Sequence, residues 1–182
     1  MNTLEDSVSI NFKKDFHAYI EPNDSEEAAF FAACFVQKIR EAHPNFVMRV
    51  VITRSGDPMF KQPMQKQFSA DNNGLIIHIK DAEKFGYTYN ADRFQELIKL
   101  KRMYNQKNVP LYFIFETNDI SLASSNSYDS LLYNKLKKES LIPLCALCKT
   151  TFLQKKHLFN ELILKTQFSF QFKISREFLE FF

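Results

Sequence analysis

Gly74-Leu-Ile-Ile-His-Ile-Lys80 and Val109-Pro-Leu-Tyr-Phe-Ile-Phe-Glu116 are the stretches whose reading decides the fold. Each is a short apolar run rich in β-branched or aromatic residues, the pattern of a strand covered on both faces. Pro110 restricts only the start of the second run. Between them, Asn90 or Asp92 opens a helix that runs to about Asn105, with Phe94, Leu97, Ile98 and Met103 or Tyr104 on its inner side. The result is a strand–helix–strand unit from about Gly74 to Glu116.

Working outward toward the N-terminus, Asp71-Asn-Asn-Gly74 reads as a turn, and Ser55 to Phe68 as a long loop or irregular hairpin with Pro58 and Pro63. Phe46 to Thr53 is β-rich. Before it, Pro22-Asn23-Asp24 breaks the chain, and Asp24 or Ser25 caps a helix. Glu26 and Glu27 sit in the first turn of that helix, where its dipole favours negative charge. Ala28, Phe31, Ala32, Phe35, Val36 and Ile39 form its apolar face, and it ends near His43-Pro44. Val8, Ile10 and Phe12 alternate as a short strand.

Toward the C-terminus come a polar helix over 128–139, a buried strand over 141–148, a helix over 150–166 and an alternating strand over 168–174. Helices alternating with buried strands predict a single α/β domain, a mixed central sheet with helices on its faces. Within it, 1–23 is an N-terminal strand or extension, 24–117 the core and 118–182 a C-terminal α/β elaboration.

Composition limits the function classes. The 182 residues are 45% hydrophobic and 25% charged, a globular balance. No run approaches ~18 apolar residues, so no membrane span is expected. The start, MNTLEDSVSINF, has no basic segment before an apolar run, and Cys34, Cys145 and Cys148 are sparse and odd in number. A reducing, cytoplasmic compartment, or the interior of a host cell, is the expectation. There are three glycines, Gly56, Gly74 and Gly86, none paired in a phosphate-cradling loop. Walker-type and dinucleotide-binding loops, which need glycines for close backbone approach to phosphate, are excluded.

Charge is uneven. Residues 1–30 hold seven acids against Lys13 and Lys14, a net −5, so the remainder carries +8 of the overall +3. A basic body suits a polyanionic partner, although solvated helix faces give the same count. Lys99, Lys101, Arg102 and Lys107 make the second half of the central helix basic and are the candidate nucleic-acid contacts. Cys145 and Cys148 form one isolated pair in a strand pattern, which reads as core, since a structural zinc site needs four ligands.

His78 and Lys80 carry the chemical suggestion. Residues i and i+2 of a strand share a face, so both point the same way beside Ile76. With the acids of the leading helix and Ser55-Gly56-Asp57, this pattern resembles the PD-(D/E)XK nuclease superfamily, in its resolvase and restriction-enzyme branch. The resemblance covers about half the chain and implies a restriction-endonuclease-like core. It implies that Asp57 matches the first metal-binding acid, with Asp71 as its competitor. His78-Ile79-Lys80 matches the acid-X-Lys element, and Glu26 or Glu27 the leading helical acid. The implied activity is phosphodiester hydrolysis, with carboxylates holding Mg²⁺ and the lysine orienting the nucleophile. His78 stands where the family has a carboxylate. That departure motivates a second expectation: a non-catalytic adaptor, inhibitor or effector-type domain that binds a protein partner or a second copy of itself.

Overall fold

The computed structural model describes residues 17–70, 73–87, 90–117, 132, 135–136, 144–148 and 150–165. Five strands, β1 (His17–Ile20), β2 (Val47–Arg54), β3 (Asn73–Lys80), β4 (Leu111–Glu116) and β5 (Leu144–Leu147), form one sheet in the order β2-β3-β4-β1-β5. The α/β class expected from sequence is observed. The sheet was expected to be mixed, but every described pairing is parallel. The reason is the connections: α1 (Ser25–Ala42) follows β1, a 3₁₀ turn and the short α2 (Met64–Gln67) follow β2, and α3 (Ala91–Gln106) follows β3. Each carries the chain back to the same end of the sheet before the next strand begins. A last helix, α4 (Phe152–Lys165), follows β5.

Strand alternation splits the core into two layers. Tyr19, Leu75, Ile77, Ile79, Leu111, Phe113 and Phe115 point to the side covered by α3, with Phe60 and Met64 anchoring the segment after β2. That segment, expected as a loop, is folded by the 3₁₀ helix Pro58–Lys61 and by α2. Ala18, Ile20, Ile76, Tyr112 and Ile114 point to the other side, against Phe31 and Phe35 of α1 and Phe159 of α4. Leu132 and Leu136, from the connection between β4 and β5, join the α3 side.

Helix α1 starts where the capping chemistry places it. Asp24 Oδ1 accepts the Glu27 N–H at 2.7 Å, and Glu27 Oε2 accepts the Asn23 N–H at 2.9 Å. This reciprocal pair satisfies donors at the helix start that have no partner within the helix.

His17-Ala-Tyr-Ile20 is a strand that the sequence reading left out, and it lies inside the sheet between β4 and β5. The alternating segments 8–12 and 168–174, and most of the helix expected over 128–139, lie outside the described residues. So does the Phe-rich end of the chain.

Candidate functional site

Parallel strands all end at one edge of the sheet, and that edge is where α/β proteins place their ligands. Here β3 ends on Lys80, β4 on Glu116 and β2 on Arg54. His78, Lys80 and Glu116 all lie on the α1 side of the sheet, continuing the alternation of Ile76 and Ile114. Glu116 Oε2 lies 2.6 Å from His78 Nε2, and both side chains are buried. The contact fixes the imidazole's orientation.

These residues line one end of a groove of about 500 Å³ between α1 and the edge of the sheet. Its helix wall is built of small side chains, Ala29, Ala32 and Ala33, and its floor of Val50 and Ile52. Small residues on α1 leave the space open; a leucine at Ala33 would fill it. Next to it, Arg54 pairs with Asp81 at 2.7 Å. Asp81 holds a left-handed backbone, φ 54°, a conformation aspartate tolerates better than most residues.

The expected site residues separate. His78 and Lys80 share the groove, as the alternation required. Asp57 is not among the residues lining it: its Oδ1 accepts the Met59 N–H at 2.9 Å and its Oδ2 the Thr53 hydroxyl at 3.1 Å, so it caps the 3₁₀ helix. Glu26 is exposed on α1. Asp71 lies outside the described residues. Among the described residues no three His, Cys, Asp or Glu side chains are grouped so as to hold a metal ion. The donors described here do not fit the Mg²⁺ that the nuclease resemblance implies.

Of the four candidate phosphate contacts, Lys99, Arg102 and Lys107 are exposed, Lys99 bridging to Glu96 at 2.8 Å. Lys101 is a correction. It is 3% exposed, donates to the Leu111 carbonyl at 2.6 Å and lies over the Tyr112 ring. Four methylenes bury well, and a lysine on the inner side of α3 turns its head to a backbone oxygen. Cys34 is buried, which pushes its thiol up to about 12 and keeps it from acting as a thiolate. Cys148, expected in the core, is exposed, because it lies just past the end of β5.

Glu116 was not singled out in the sequence; it is legible only as the charge that ends an apolar strand. The capped, acidic start of α1 was expected, but not its place directly after β1. In doubly wound parallel sheets the first strand–helix turn receives a nucleotide's phosphates on the helix N-terminus. The switch in connection direction falls here, since α1 leaves β1 over one face while Leu132 and Leu136 follow β4 over the other. This turn reads Glu21-Pro22-Asn23-Asp24. Behind it, Lys155 Nζ of α4 meets Glu27 Oε1 at 2.7 Å with side-chain exposures of 0% and 5%. Comparison with protein-family models finds no match, and comparison with curated proteins finds none either.

Proposed function

We propose that this chain is a non-catalytic binding domain that engages another protein, built on a parallel sheet of the nucleotide-binding type whose phosphate position is closed. The observation that carries this reading is the start of α1. A phosphate there needs free backbone N–H groups and close approach. Instead, Asp24 and Glu27 take N–H groups for themselves, Glu26 adds a further negative charge, and the one buried lysine nearby is committed to Glu27. Anion repulsion and the absence of glycine act together against a bound nucleotide. A fold of this type supports many functions, so the role is argued from the site rather than from the fold.

A second reading, a nuclease-type domain acting on nucleic acid, is favoured by one observation: His78 and Lys80 share a groove with Glu116, which brings a carboxylate beside them. One experiment separates the two. Purified full chain is incubated with Mg²⁺ or Mn²⁺ and supercoiled DNA or RNA, and in parallel titrated with a fluorescent ATP analogue. The binding-domain reading expects neither nicking nor a fluorescence change. Cleavage that disappears in Lys80→Ala establishes the nuclease reading, and saturable nucleotide binding overturns the closed phosphate position.

A further inference from the structure

We propose that β2 is a docking edge, to which an extended, acidic segment of another protein adds as a sixth strand. This deepens the protein-binding reading above and rests on it. β2 terminates the sheet, and among the described residues β3 is the one strand that pairs with it. The Ser55 N–H bonds to the Lys80 carbonyl of β3. Backbone groups alternate in direction along a strand, so Arg49, Val51 and Thr53 turn theirs toward β3, while Met48, Val50 and Ile52 turn theirs outward. Arg40 reaches the Met48 carbonyl from α1, consistent with that outward direction. Beyond Met48, among the described residues no group bonds to the outward N–H and C=O of Val50 and Ile52.

Proteins blunt such an edge with charged side chains, proline, a bulge or a very short strand. β2 has eight residues and no proline; it carries Arg49 and Arg54, which repel cationic strands and admit acidic ones, beside two exposed apolar side chains, Val47 at 69% and Ile52 at 64%. A polar rim with an apolar strip is the composition of a strand-addition site, where backbone bonds supply affinity and alternate side chains supply specificity. The groove between β2 and α1, floored by Val50 and Ile52, receives the side chains of one face of the added strand.

Charge selects the partner. Arg40, Arg49, Arg54 and Lys80 border the strand, with Lys38 behind them; against these five cations stand three carboxylates, Asp81 paired with Arg54, Glu41 paired with Lys38, and Glu116 beside His78. The surplus is positive, five less three or +2, so the complementary strand alternates apolar and acidic residues. The same surplus disfavours a second copy of β2, because pairing two copies would bring both sets of cations together. Exposed apolar side chains beside open backbone groups favour a peptide over nucleic acid, whose backbone lacks the alternating N–H and C=O groups that match a strand edge.

The test uses the full chain and labelled peptides of alternating valine and glutamate, with valine–lysine peptides and single-stranded and duplex oligonucleotides as the other arms. Fluorescence anisotropy gives affinity, and hydrogen exchange maps the contact. The expected result is that the acidic peptide binds at least about tenfold more tightly than the basic one, that Val50 and Ile52 amides become protected, and that Arg49→Glu removes the preference while light scattering shows a monomer. Arg49→Gln, with a smaller loss, serves if the reversal does not fold. Equal binding of the two peptides, no binding at millimolar concentration, or a preference unchanged in both variants overturns the proposal. So does a dimer formed through β2, or salt-sensitive oligonucleotide binding that protects the same amides. Protection that maps to another surface overturns the edge assignment and leaves protein binding standing, whereas nicking or nucleotide binding removes the reading beneath it.

Discussion

Single buried side chains decide what this site can and cannot do. Lys155 and Glu27 are the clearest case, an ion pair removed from water and shared between α4 and α1. Breaking such a pair from one side leaves an uncompensated charge in the interior, which costs about 3–5 kcal/mol. Lys155→Met is expected to lower the unfolding free energy by that amount in urea titrations. Glu27→Leu combined with Lys155→Met is expected to recover part of the loss, because no charge is then left buried, although the Asn23 N–H loses its acceptor. His43 gives a pH signature. Burial, and then the nearby Lys101 charge, hold its imidazole below its ordinary value. The unfolded chain therefore takes up a proton before the folded chain does, so the folded state loses stability as pH falls below about 6.5, toward the native pKa. Denaturant midpoints measured from about pH 7.5 down to 5 should decline in wild type, and decline less in His43→Gln. No such decline in wild type, or an equal one in the variant, would refute the assignment to His43.

Elements are fixed by where one side chain must make room for another. β2 and β3 pair with Met48 opposite Gly74. A Cβ at Gly74 would overlap the Met48 thioether and press on the Pro110 ring. Gly74→Ala is thus expected to destabilise by about 1–3 kcal/mol, the range for overpacking a filled site, and to add less than that when made on a Met48→Ala background, where the clash is gone. A Gly74→Ala protein as stable as wild type would show that Met48 swings clear without cost. The Gly74-to-Lys80 run was legible as a strand because its composition is unambiguous. β1 was not, because four residues, His17 to Ile20, carry too little periodicity to register. Lys101 misled for a similar reason: periodicity locates an apolar stripe but does not say that a lysine stem lies along it.

At the scale of the whole molecule the parallel sheet ranks its strands by protection. β3, β4 and β1 have neighbours on both sides, whereas β2 has one among the described residues. Native-state hydrogen exchange is expected to leave Ile77, Phe113 and Ala18 among the slowest amides and the outward amides of Val50 and Ile52 among the fast ones. Uniform protection along β2 in the free protein would mean that its outer edge is already covered. Local patterns along the chain carry the α/β class, the helices α1, α3 and α4, the strands β2 to β5, and the shared face of His78 and Lys80. Those follow from local periodicity, capping and strand alternation, which act within a few residues. Tertiary structure decided the rest. It made every described pairing parallel, set β1 inside the sheet, joined His78 to Glu116 across 38 positions, turned Asp57 into a cap and paired Glu27 of α1 with a lysine 128 positions away. Contacts between distant positions depend on the order in which strands pack, and no local pattern in the chain encodes that order.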